Sequence, residues 1–262
     1  MQKEPWWGTE TVPEKNSFLL NSATFFLAIE HKAKEWCIHV KRDATLDVEL
    51  VDNKFNKLIG EFSPVNSGDL SRHIVHGDSD TLEIRPSLAD RNVVCRAKSP
   101  ITILPGSSIT LYLSTPLWLT IGLRDLNFTL LKEVATQRLS DTWFGSSTME
   151  GELCYASQTI GRLEAEKLPF RTQRAITPLF IENQADNDLV FERVALPVPS
   201  LSLFNTENGQ LYTQNVSLIR ENDGDFAKLK LGAPPADSEL VNGPRVAFNH
   251  GQLIRAFSAI FS

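Results

Sequence analysis

Residues 25–40 read Phe25-Phe26-Leu27-Ala28-Ile29-Glu30-His31-Lys32-Ala33-Lys34-Glu35-Trp36-Cys37-Ile38-His39-Val40. Successive side chains of a strand point to opposite faces, so Phe25, Leu27 and Ile29 share one face of a first strand. Trp36, Ile38 and Val40 do the same on a second. The polar run between them, Glu30 to Glu35, has the composition of a hairpin connection.

Outward from this pair the alternation recurs at Leu46, Val48 and Leu50, at Leu82 and Ile84, at Ile101 and Ile103, and at Ile109, Leu111 and Leu113. It returns at Leu179 and Ile181, Leu189 and Phe191, Leu201 and Leu203, Val216 and Leu218, and Phe226. Leu104-Pro105-Gly106-Ser107 predicts a tight hairpin turn, with proline fixing φ and glycine supplying a positive φ. Asn208-Gly209 and Asp223-Gly224 mark further turns. Helical spacing competes with alternation only over Phe128 to Leu139 and Leu253 to Phe261, and the second stretch fits an edge strand equally well. The expected fold is all-β, mainly antiparallel, with two β-sandwich-like or barrel-like domains and few short helices.

At 262 residues the chain is near the length at which single cores divide, and the expected division is residues 1–136 and 137–262. A faint internal echo accompanies it. Ser99-Pro100-Ile101-Thr102-Ile103, a turn, Ile109 to Leu113 and Pro116-Leu117-Trp118-Leu119 resemble Thr177-Pro178-Leu179-Phe180-Ile181, a loop, Leu189 to Val194 and Pro199-Ser200-Leu201-Ser202-Leu203. Read as a duplication, the echo implies two related β domains meeting near Gln137 to Trp143; sheet physics alone also produces a proline before a strand.

Composition narrows the function classes. With 42% hydrophobic and 22% charged residues the chain has the balance of a soluble globular protein. Its 26 basic and 32 acidic side chains leave a net charge of −6, which argues against nonspecific nucleic-acid binding. No apolar run approaches the roughly 20 residues of a membrane span. Met1 to Gly8 lacks the apolar core of a secretory signal. Cys37, Cys95 and Cys154 are odd in number and scattered, as buried thiols in a reducing compartment would be, so a cytoplasmic location is expected. Neither phosphate-cradling glycine motif occurs and no cofactor is expected. A Gly-x-Ser-x-Gly elbow is also missing, which argues against a serine hydrolase.

Leu139 to Tyr155 is the densest unusual segment, reading as a loop that interrupts the alternation with two aromatics, three acids and two glycines before Cys154. Asp141, Trp143, Phe144, Glu150 and Glu152 are its candidate binding residues, with Trp6 and Trp7 as a possible extension, because scaffolded loops carry function and aromatics anchor interfaces. The competing role for both aromatic pairs is packing. Cys154 alternates like a core strand residue rather than a nucleophile. His73 and His76 with Asp78 and Asp80 form the best metal candidate, two imidazoles and two carboxylates that also read as a turn before a strand.

The set Asp141-Thr142-Trp143-Phe144-Gly145, Gly151-Glu152-Leu153-Cys154-Tyr155, Ala89-Asp90-Arg91-Asn92-Val93-Val94, Pro105-Gly106 and Leu111 to Leu119 resembles the bacterial and archaeal family catalogued as domain of unknown function 432. The similarity runs from Trp6-Trp7 through the second half, and it implies no catalytic or binding residue. Asn92 stands where proline is expected in the family's Asp-Arg-Pro form. Some relatives are encoded near small mechanosensitive channel proteins, which implies a membrane-associated partner. The expected function is therefore non-enzymatic binding or assembly with a protein or small polar ligand, a membrane-associated protein being among the candidate partners. The alternative is a hydrolase acting on a carbohydrate or similar polar substrate through Asp141, Glu150 or Glu152.

Overall fold

A computed structural model describes residues 5–43, 54–61, 68–77, 79–125, 127–147, 149–159, 161–165, 168–248 and 253–257. The alternation at Leu46, Val48 and Leu50 and the candidate ligand Asp78 lie outside them. Among the described residues the framework is strand, and helix is confined to 3-10 turns such as Val198–Ser200. The chain forms two compact units of three segments each: Met1–Ser87, Pro116–Arg138 and Arg171–Gln173 in the first, and Leu88–Thr115, Leu139–Phe170 and Arg174–Ser262 in the second. The expected cut at 136/137 falls beside one crossing, but residues 88–115 belong to the second unit and so depart from a simple division into halves.

The first unit carries β1 (Gly8–Thr11), β2 (Ser17–Asn21), β3 (Phe25–Lys32), β4 (Glu35–Arg42), β5 (Asn56–Gly60), β6 (Asp69–Ile74), β7 (Thr81–Ser87), β10 (Trp118–Arg124) and β11 (Phe128–Ala135). One sheet has the order β5-β2-β3-β4-β6 and the other β1-β7-β10-β11. The β3–β4 hairpin pairs Leu27 with Val40 and Ile29 with Ile38, so the alternating apolar residues form one buried face, joined by Phe18 and Leu20 of β2. Leu82, Ile84, Leu119, Ile121 and Leu123 supply the buried face of the other sheet. Trp6 is also buried, edge-on to Trp7 and tilted 4.8 Å from Phe55, which is the packing role for that tryptophan. Phe128 to Ala135, where a helix competed, is a strand because β10 offers it a full antiparallel partner.

The second unit carries β8 (Val93–Ile103), β9 (Ser107–Pro116), β12 (Ser140–Gly145), β13 (Gly151–Thr159), β14 (Arg174–Asn183), β15 (Leu189–Leu196), β16 (Leu203–Thr206), β17 (Leu211–Thr213), β18 (Val216–Arg220), β19 (Phe226–Leu231), β20 (Ser238–Asn242) and β21 (Leu253–Arg255). One sheet runs β12-β13-β8-β15. The larger runs β20-β16-β17-β14-β18-β19-β21, with β9 also paired to β14. Pairing is mainly antiparallel; β13 with β8, and β14 with β17 and β18, are parallel. Among the described residues no sheet closes into a barrel.

The turn at Leu104 to Ser107 forms, with Gly106 at φ +69° and the Ser107 N–H donated to the Leu104 carbonyl at 3.1 Å. It does not make the expected hairpin: β8 pairs with β13 and β15, while β9 pairs with β14. Turn chemistry reverses the chain, but burial selects the partner. The first two strands of each echoing segment thus become arches that cross within the second unit, β8 of the first lying antiparallel to β15 of the second and β9 lying beside β14, while Pro116 to Leu119 belongs to the first unit. They are not the cores of two separate domains. Asn183 joins their turns: its carbonyl accepts the Gly106 N–H at 2.8 Å, and its Nδ2 donates to the Ile103 carbonyl at 2.9 Å.

Candidate functional site

The segment expected to be a loop is mostly a hairpin. β12 and β13 pair Asp141 with Tyr155, Trp143 with Leu153 and Phe144 with Glu152, so the two strands account for all but the short connection after Gly145. Gly145 faces Gly151 there, and a Cβ on Gly145 would lie 2.0 Å from the Glu150 carbonyl oxygen, so the close return of the chain needs glycine. The alternation was hidden because each face mixes polar and aromatic residues.

Strand geometry divides four of the five candidates between two faces, and Glu150 lies in the connection between the strands. Asp141 and Trp143 lie on one, with Leu153 and Tyr155. Asp141 accepts from Arg91 Nη1 at 3.2 Å, and Trp143, 44% exposed, lies across Gly151 and donates its Nε1–H to the Ser147 carbonyl at 2.7 Å. Phe144 and Glu152 lie on the opposite face. There Phe144 is 1% exposed and packs with Val94, Cys154 and Ala195.

The Asp90-Arg91-Asn92 run explains why these distant motifs occur together. Tyr155 Oη donates to Asp90 Oδ1 at 3.0 Å, Arg91 holds Asp141 and lies 5.2 Å from the Tyr155 ring, and Asn92 Nδ2 donates to both Glu152 oxygens at 2.8 and 2.9 Å. Burial, and next the bond to Asp90, holds the Tyr155 phenol above its usual range, so it remains a donor at neutral pH. Three consecutive residues therefore fasten the hairpin on both of its faces. The Asn92 departure from the Asp-Arg-Pro pattern supplies the clamp on Glu152, since proline has no side-chain donor.

On the Phe144 face lies a cleft of about 670 Å³. Phe144, Ala195 and Leu229 are its buried lining, while Phe226, Val246 and Leu253 are exposed apolar residues along it. Asn92, Glu150, Glu152, Ser200 and Arg255 contribute the polar groups. Ser146 Oγ donates to Glu150 Oε2 at 3.3 Å, and Ser147 Oγ accepts the Glu150 N–H at 3.1 Å. Of the sequence candidates, Phe144, Glu150 and Glu152 meet here, and Asp141 and Trp143 do not. Phe226, Val246, Leu253 and Arg255 were missed as site residues; only turn and strand signals mark them in the sequence, and their nearness to Glu152 comes from pairing over long separations.

A family model described as protein of unknown function (DUF432) matches residues 6–261. The chain belongs to that family. Searches of curated proteins and of solved structures return no match. The DUF432 match spans both units and includes the Asp90-Arg91-Asn92 run, the β12–β13 hairpin and the cleft.

Two of the metal candidates of this DUF432 chain, His73 and Asp80, are held by other groups. His73 Nε2 lies 3.1 Å from Ser71 Oγ, which also accepts from Lys132 Nζ at 2.9 Å, and burial followed by Lys132 keeps the imidazole below its usual range. Asp80 Oδ1 accepts from Thr81 Oγ1 at 3.2 Å, and His76 lies in the turn after β6. Among the described residues no group of three His, Cys, Asp or Glu side chains is placed to hold a metal ion. No described helix is long and apolar enough to cross a membrane.

The thiols of Cys37, Cys95 and Cys154 are buried and outside any disulfide. Burial, and next the Glu152 carboxylate, pushes the Cys154 thiol from 9.0 up to about 12. The folded chain therefore keeps this thiol neutral where the unfolded chain ionises it. Its neutral burial is fully compatible with folding below the unfolded value, and stability falls as pH rises from there through the folded value, by up to roughly 4 kcal/mol at about 1.36 kcal/mol per unit. At pH 8, iodoacetamide is expected to leave Cys154 unmodified for hours in the folded chain and to alkylate it within minutes in 6 M guanidinium, read by intact mass. Rapid labelling of the folded chain would contradict the packed Phe144 face.

Proposed function

We propose that this protein is a non-enzymatic cytoplasmic binding protein whose second unit takes a small amphiphilic molecule into the cleft beside the β12–β13 hairpin. The observation that carries the reading is a cleft of about 670 Å³ with exposed Phe226, Val246 and Leu253 on one part and the clamped Glu152 on another. Ligand sites are of this volume and combine apolar lining with a few fixed polar groups. Grouped apolar side chains left in water on a soluble protein mark contact surfaces. Three reduced, buried thiols support the cytoplasmic location. A membrane-associated protein as source or recipient of the ligand fits the same surface.

The neutral apolar fluorophore N-phenyl-1-naphthylamine tests this. Saturable fluorescence enhancement at one molecule per chain is expected, with at least a tenfold weaker response in Phe226→Asp with Leu253→Asp, both side chains being exposed enough to replace without loss of the fold. Unsaturable enhancement, or equal response in the variant, would remove the reading. One observation favours the hydrolase alternative: Glu150 and Glu152 line the same cleft. Incubating the same protein with a panel of soluble polysaccharides separates the two, since reducing ends released by the parent and not by Glu152→Gln would replace binding with turnover.

A further inference from the structure

We infer that the ligand of this cleft carries a cation at one end of its apolar body, in the simplest form a primary alkylammonium. The inference rests on the binding reading above and adds the sign of the ligand's charge. Both oxygens of Glu152 are engaged by Asn92 Nδ2, a neutral donor that fixes the carboxylate without cancelling its charge. Glu150 is met by Ser146 Oγ, again neutral. Among the described residues neither glutamate has an ion-pair partner. The cleft's own cation is already matched: Arg255 Nη1 lies 3.0 Å from Asp225 Oδ2, and its guanidinium lies 4.8 Å from the centre of the Phe226 ring. Arg193 lies 5.6 Å from the centre of the buried Phe144 ring, Arg91 pairs with Asp141 and Arg245 Nε donates to the Leu88 carbonyl, and none of the three is part of the cleft lining.

The lining therefore keeps two uncompensated negative charges next to exposed apolar surface. An anionic amphiphile would meet repulsion at its head. A neutral one would leave the carboxylates to water, and a cationic one pairs with them while its chain covers Phe226 and Leu253. Asn92 presets the Glu152 carboxylate, so less ordering is needed when the cation arrives. Because both glutamates are exposed, the preference is moderate, about fivefold to tenfold over a neutral head.

Isothermal titration of the full chain with n-octylammonium, n-octanol and n-octanoate at pH 7 and low salt tests this. Octylammonium is expected to bind about fivefold to tenfold more tightly than octanol, and octanoate more weakly than either. Raising the salt to 0.5 M is expected to narrow the gap in the unaltered chain, and Glu150→Gln with Glu152→Gln to bring octylammonium down to the affinity of octanol. Equal affinities for octylammonium and octanol would overturn the cation while leaving the binding reading intact. If none of the three binds, the binding reading fails and the inference falls with it. The salt series keeps the test decisive even if the double variant folds poorly.

Discussion

Asn183→Ala is expected to destabilise the second unit by about 3–5 kcal/mol, seen in calorimetry as a drop of several degrees in that unit's transition. Asn183 is fully buried, and its side chain serves three groups at once. Nδ2 donates to the carbonyls of Ile103 and Asn187 at 2.9 and 2.8 Å, and Oδ1 accepts from Arg220 Nη1 at 3.0 Å. Arg220 is 4% exposed, and its nearest carboxylate, on the exposed Asp223, is 4.0 Å away. Truncating Asn183 removes a buried donor from the Ile103 and Asn187 carbonyls and strips a buried guanidinium of a short bond. An unsatisfied buried group of this kind costs about 1–3 kcal/mol, and more where a charge is involved. Asn183→Leu with Arg220→Met should recover part of the loss, because removing both partners leaves no buried charge. A single-variant loss under about 1 kcal/mol would mean that the crossed turns do not depend on this residue.

Phe144→Ala is expected to cost about 3–4 kcal/mol and to abolish uptake of the apolar fluorophore, whereas Trp143→Ala costs about 1 kcal/mol and leaves uptake within twofold. The two residues are adjacent, and only the strand's two-sidedness separates them. Phe144 is packed against Val94, Cys154 and Ala195 and lines the cleft. Trp143 keeps 44% of its surface in water and covers the glycine of its own turn. Paired urea denaturation and fluorophore titration read both effects. The reverse ranking would place the hairpin one residue out of register, since such a slip exchanges the faces of every side chain.

Legibility in the sequence followed the range of the interactions. The 25–40 stretch specified both its strands and its buried face, because alternation and a polar turn are local signals. Leu253–Arg255 was ambiguous by itself and became a strand through pairing with β19. The turn at Leu104 to Ser107 was legible as a turn, but its flanking strands pair with segments about 60–100 residues further along, which no local pattern encodes. At the site, the unusual chemistry of Asp141 to Glu152 was visible, and its hairpin geometry was not. The face on which each side chain lies depends on register with β13, and the clamp from Asn92 joins residues 60 positions apart. Phe226 and Leu253 gave no functional signal because an exposed apolar residue acquires meaning only beside others.

The interleaved segments also set the order in which the chain can mature on the ribosome. Arg171–Gln173 belongs to the first unit, where the Gln173 carbonyl accepts the Leu117 N–H at 2.9 Å and its side chain donates to Ser22. That unit therefore lacks its last segment until residue 173 has emerged, long after its early strands. Meanwhile β8 has been synthesised but must wait for β13 and β15 before its ladder fills. Unpaired strand edges exposed during synthesis invite association with other nascent chains, so this topology creates a prolonged demand for holding chaperones that a serial arrangement of two domains would avoid.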